Sequence, residues 1–222
     1  MPGPVDEADV TPVRTPRAAV PHASVRRLTS AAVLLTGVEG MLVAIAVAAV
    51  VCLVLRAVLA RFLPGFTAWS WALLVFAVLC IGVLTLTPAY DVPSVIYAED
   101  RPTSCSLDYG GPAPEGFWLV GGGQRLLNVA VFVPAGAFLV LALARWRAAF
   151  VLAPLGLVGL AGYSVAIELA QLEVARIDRA CDVTDMVDNT LGAGVGFLVG
   201  VVLTLVVRPW RHASPRHSSR RH

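Results

Sequence analysis

The sequence predicts an all-α polytopic membrane bundle of about five spanning helices, and three observations carry that prediction. Five apolar stretches occur, each near the length of about 20 residues that crosses a hydrocarbon core. Only 14% of the residues are charged and 57% are hydrophobic, with a mean hydropathy of +0.76. A soluble domain is nearer about 25% charged. Arginines flank the apolar stretches on their short connections, as expected where loops meet a membrane surface.

Taken in order, residues 1–30 hold five prolines, four arginines and three acids without periodicity, and read as a disordered tail. A translation start at Met41 is the alternative and would remove that segment. The transmembrane region is expected over 31–207. Its first span, 31–55, is interrupted by Glu39. The second, 69–87, runs out at Leu86-Thr87-Pro88. A long loop over 88–125, rich in proline, glycine and acids, separates it from the third span. That span, 126–144, opens near Asn128 and contains Pro134. The fourth covers 148–167 and the fifth 189–207. Residues 208–222 form a basic tail with five arginines and no acid.

Topology follows from arginine placement, because cytoplasmic loops retain positive charge. All 17 basic residues are arginine. If the short joins and the C-terminal tail are cytoplasmic, that side holds nine of them. The other side holds Arg101, Arg125, Arg176 and Arg179, plus four in the N-terminal tail. The expected orientation is N-out, C-in, with 88–125 and 172–188 outside. Cys105 and Cys181 are then the only two of four cysteines outside a span, both in an oxidising compartment, and a disulfide between them is expected. Two unpaired thiols in polar surroundings are the alternative.

The polar chemistry outside the tails concentrates between the fourth and fifth spans. At about 100° per residue, Ser164, Glu168 and Gln171 fall within about 60° on one helix face. Asp182, Asp185, Asn189, Gly192 and Gly196 share an arc of about 80° on the next helix. Glu168 stands twenty residues after Ala148, which at about 1.5 Å per residue sets it at the far hydrocarbon boundary. Ionisable groups at that depth are costly, which makes them functional candidates; a structural ion pair with Arg176 or Arg179 is the other reading. Asp182 and Asp185 suit either divided acid–base roles or a helix N-terminus. Gly192, Gly196 and Gly200 are spaced for close helix approach. The four histidines, at 22, 212, 217 and 222, all lie in the tails, and no CxxC motif occurs. No metal, cofactor or nucleic-acid partner is expected; the bilayer is the expected partner.

Asn128 with Phe132-Val133-Pro134-Ala135-Gly136, then Ser164-x3-Glu168-x2-Gln171, then Arg179-x2-Asp182-x2-Asp185-x3-Asn189-Thr190-x-Gly192 resembles the VanZ-like family of bacterial membrane proteins. The resemblance covers about 84–203, a four-helix core behind one additional N-terminal span. It implies a cell-envelope protein, with antibiotic resistance of the teicoplanin type as the associated phenotype, and supplies no molecular mechanism. Three functions stay open. One is binding of an envelope lipid or glycan by Asn128, Ser164, Gln171 and Asn189 under the 88–125 loop. A second is acid–base catalysis on a lipid-linked substrate, with Asp182 or Asp185 as base, Glu168 as acid and Arg179 steadying an anion. The third is a structural partner subunit.

Overall fold

The computed structural model of the chain describes residues 37–87, 104–109, 123–173 and 181–207. Five helices make up the described fold: α1 (Gly37–Leu59), α2 (Gly65–Leu86), α3 (Gly123–Leu143), α4 (Ala149–Glu173) and α5 (Val183–Val207). Each is long and apolar enough to cross a membrane, so the chain folds as the multi-pass bundle its sequence predicts. The two tails, most of the 88–125 loop and the segment 174–180 with Arg176 and Arg179 lie outside the described residues.

The helix limits differ from the apolar windows in a consistent way: the polar-end turns are helical too. α2 begins at Gly65 instead of 69, immediately after Pro64 at its N-cap position. α3 begins at Gly123, α4 continues six residues past Ile167 to Glu173, and α5 starts at Val183 instead of Asn189. An apolar window stops where polar side chains begin. The backbone does not stop there, because near the hydrocarbon boundary its N–H and C=O groups are still best satisfied within the helix. The polar residues consequently sit inside helical turns, and 172–173 and 183–188, expected as connection, are helix. Asp185 belongs to the first turn of α5 and does not precede it.

α3 is the central helix: half of its span is buried, against 11% for α1, which packs on α2 and buries Ala48 and Cys52. Phe132, Ala135 and Leu139 of α3 meet Ile81 of α2, Ile167 of α4 and Ala193 of α5 in the core. The tightest pairing is between α3 and α5. A Cβ placed on Gly192 would collide with the Val129 carbonyl, one on Gly196 with the Val133 carbonyl, and one on Gly200 with Ala137. Gly136 faces the Ala193 carbonyl in the reverse sense. The first three pairs keep a constant offset of 63 residues, as does the ion pair Arg125–Asp188. A constant offset requires parallel helices in register, so α3 and α5 start at the same end of the bundle. The glycine spacing read in the sequence is what allows the two backbones to touch.

The two ends differ in charge. Among the described residues, the end where α1 meets α2 and α3 meets α4 carries Arg56, Arg61, Arg145 and Arg147 and no acid. The opposite end carries Glu39, Asp108, Glu168, Glu173, Asp182, Asp185 and Asp188 against a single described cation, Arg125. At the arginine end the Arg56 guanidinium stacks over Trp69, 5.2 Å from the ring centroid, and Trp71 meets Trp146 edge-on at 6.5 Å. Tryptophan and arginine together mark a membrane–water interface.

The backbone contact has a measurable consequence. Gly196→Leu should destabilise the bundle by about 3 kcal/mol, because neither helix axis can retreat without opening the core. On the same helix, a Cβ added at Gly194 would meet no heavy atom within 4 Å, and Gly194→Leu should leave stability near wild type. Thermal unfolding of both proteins in detergent decides it; equal midpoints would show that the α3–α5 approach carries no stability.

Candidate functional site

The end bearing the acids is assembled from four helices and one strap. Ser164, Glu168 and Gln171 recur at helical spacing on α4 and are all buried, with Glu168 only 2% exposed. Each has a partner on a different element. The Ser164 hydroxyl accepts from Asn189 Nδ2 of α5 at 3.0 Å. Glu168 Oε2 accepts the Asp182 backbone N–H at 3.2 Å. Gln171 Nε2 donates to the Thr85 carbonyl in the last turn of α2 at 2.9 Å. That carbonyl is one of the four that a helix C-terminus leaves without an intrahelical donor, so Gln171 caps α2 from α4.

Asp182 precedes α5 and its Oδ1 accepts the Thr184 N–H at 2.8 Å, an N-cap geometry. The helix-terminus reading of this residue is therefore realised, and the same residue places its own N–H on Glu168. Asp185, in the first turn of α5, is partly buried. Arg179 lies outside the described residues.

The strap is residues 104–109. A disulfide joins Cys105 to Cys181 with a Cα–Cα distance of 4.6 Å, so the expected pairing is present. Next to it Ser106 forms a parallel β-bridge with Asp182: Ser106 N–H donates to the Cys181 carbonyl at 2.9 Å and Val183 N–H to the Ser106 carbonyl at 3.0 Å. The covalent bond and the bridge hold the strap over the start of α5 and bring Tyr109 onto Arg125.

Arg125 and Asp188 are a pair that the sequence does not announce. The guanidinium forks onto the carboxylate, Nε to Oδ2 at 2.7 Å and Nη2 to Oδ1 at 2.9 Å. Nη2 also donates to the Tyr109 hydroxyl at 3.2 Å, and the guanidinium lies 5.4 Å from that ring's centroid. The side chain of Asp188 is 1% exposed and that of Arg125 13%. By its apolar windows the sequence puts Arg125 in the loop. Asp188 falls about 40° beyond Gly192, outside the arc that holds the other polar residues of α5. The available signal is Arg125-x2-Asn128, one turn apart on a helix that starts earlier than its apolar run.

Asn128 stands one turn before Phe132 on the same face of α3, and Phe132 packs against Tyr163 of α4 with centroids 6.4 Å apart. Helical register then puts Asn128 level with the Ser164–Glu168 turn of α4. Its Nδ2 is buried and has no hydrogen-bond partner among the described residues. The expected site residues Asn128, Ser164, Glu168, Gln171, Asp182 and Asn189 thus occupy one end of the bundle. Among the described residues, no three of His, Cys, Asp and Glu converge in a way that could hold a metal ion.

The ion pair is testable by a double-mutant cycle. Arg125→Leu leaves the Asp188 carboxylate buried without its cation and should cost about 3–5 kcal/mol. The double variant Arg125→Leu/Asp188→Leu removes both charges and should recover most of that loss. Unfolding in detergent measures all four corners. Single-variant costs that simply sum to the cost of the double variant would mean that the pair contributes no coupling.

Comparison with known proteins adds one finding to this geometry. Residues 48–204 match the VanZ/LLP1 family model. The match begins within α1, further toward the N-terminus than the 84–203 core anticipated from motifs. No curated protein and no solved structure matches the chain. Covering more than half of the sequence and every element of the polar end, the match establishes that the chain belongs to the VanZ/LLP1 family.

Proposed function

We propose that this membrane protein binds a lipid-linked or glycan-bearing ligand of the cell envelope at its disulfide-bearing end, and thereby affects susceptibility to glycopeptides of the teicoplanin type. The observation that carries the reading is Asn128 Nδ2, a buried donor without a hydrogen-bond partner among the described residues, level by helical register with the buried carboxylate of Glu168. Leaving a buried amide N–H without an acceptor costs about 1–3 kcal/mol. A hydroxyl-bearing ligand removes that cost by accepting from Asn128 while donating to a carboxylate, since a hydroxyl does both. In this reading Ser164, Gln171 and Asn189 frame the position; Asp185 and Arg179 are assigned to the same function by the sequence motif alone.

Binding is favoured over acid–base turnover because two of the carboxylates serve the fold. Asp182, one of the candidate bases, caps α5 through Oδ1, and Glu168, the candidate acid, accepts the Asp182 N–H through Oε2. The glycopeptide link rests on the family resemblance alone.

The site end faces outward in this reading. Four arginines and no described acid at the other end support a cytoplasmic placement for it, and a disulfide is expected in an oxidising compartment. A single cysteine introduced as Leu107→Cys, where the native side chain is 82% exposed, should react with a membrane-impermeant maleimide on intact cells. Reaction only after permeabilisation would reverse the orientation.

The binding reading is tested in a deletion strain complemented with wild type, Asn128→Ala or Glu168→Gln. Both variants should lose the change in teicoplanin susceptibility that wild type restores, at near wild-type abundance in the membrane. Loss of phenotype only in proportion to loss of protein would assign both residues to helix packing and end the proposal.

A further inference from the structure

The arginine end holds a second feature, unrelated to the polar site. Between α3, α4 and α5 lies a cavity of about 550 Å³, within the range of about 300–1,000 Å³ typical of small-molecule sites. Its walls are apolar and include Ala149, Ala153 and Val201, and its mouth carries Arg145 and Arg147. Along α5 it extends from Leu205 to Phe197, about 12 Å of helix. It exists because the small side chains of Ala149 and Ala153 on the first two turns of α4 leave the space between that helix and α5 unfilled, and Phe150, 90% exposed, lines its open side.

Apolar surface facing outward is ordinary on a membrane helix and by itself identifies no ligand. Two properties separate this patch from the remaining lipid-facing surface. It is concave, and its mouth is cationic without compensation: neither arginine makes an ion pair among the described residues, and no acid stands at this end among them. Residues 208–222 of the sequence contain five arginines and no acidic side chain. A ligand that fits must combine an acyl chain with an anionic head at the membrane surface. We infer that the groove binds an anionic phospholipid, one chain lying along α5 toward Phe197 and the phosphate held by Arg145 and Arg147. Trp146, between the two arginines, sits at the level where indoles favour the headgroup region. Basic recesses between helices at a membrane face are suited to such headgroups, each cation contributing electrostatic attraction to the anionic lipid.

The test uses the full-length protein in nanodiscs of equal parts phosphatidylglycerol and phosphatidylcholine, with retained lipid counted by native mass spectrometry. Wild type should retain phosphatidylglycerol about tenfold over phosphatidylcholine, two cations each favouring the anionic lipid. Arg145→Gln/Arg147→Gln should abolish the preference, and Arg145→Lys/Arg147→Lys should keep it within about twofold, since charge near the surface is the determinant. Val201→Trp fills the groove but leaves both arginines, and should lose retention equally; Ala149→Leu on the opposite wall replaces it if that variant does not fold. Absence of preference in wild type overturns the inference. So does a preference that survives either the glutamine pair or the filled groove, which would reflect surface charge or bulk lipid. None of these outcomes depends on the ligand proposed for the opposite end.

Discussion

The contact between the α3 and α5 backbones is the constraint on which the remaining structure depends. In lipid, helices gain little from hiding apolar side chains, so close packing and polar contacts must hold them together. Glycine at 192, 196 and 200 and the reciprocal Gly136 let two parallel helices touch along their length. Parallel neighbours cannot be joined by a short turn, so α4 must run back between their ends. That return places Ser164, Glu168 and Gln171 at the head of the glycine strip, where α5 begins. The polar end is a geometric result of the glycine strip.

At that end the fold solves an accounting problem, since every buried polar group needs a partner or costs stability. Gln171 satisfies the end of α2, Asp182 the start of α5, and Glu168 the N–H of Asp182. The fork from Arg125 neutralises Asp188. Most of the polar side chains thus serve as mutual counterparts, which makes Asn128 conspicuous as a buried donor left over among the described residues.

Much of this is legible in the sequence for identifiable reasons. Five spans follow from apolar length, the capacity of α5 for a close helix neighbour from glycine spacing, and the disulfide from the position of Cys105 and Cys181 relative to the spans. The shared face of Ser164, Glu168 and Gln171 follows from helical periodicity. What escapes lies where polar residues continue a helix. An apolar window ends at Ile167 and restarts at Asn189, and Asp188 lies outside the arc that Asp185 shares with Asn189, so it goes unmarked. Arg125 reads as a loop charge for the same reason, and its pairing with Asp188 joins residues 63 positions apart. No local pattern specifies a contact of that kind. The groove on α4 depends on how two helices diverge, which is a property of the whole bundle.

The unequal charge of the two ends bears on how such a chain enters a membrane. In the orientation proposed, the acid-rich end crosses the bilayer and Arg56, Arg61, Arg145 and Arg147 stay behind. Cells hold their interior at negative potential, and one elementary charge moved through 100 mV corresponds to about 2.3 kcal/mol. Carrying anions outward follows that field, whereas carrying arginines outward would oppose it. Arg125, the lone described cation at the far end, is compensated in the folded bundle by Asp188. The charge distribution that marks the sidedness of the finished bundle would therefore also let the resting potential do part of the work of inserting it.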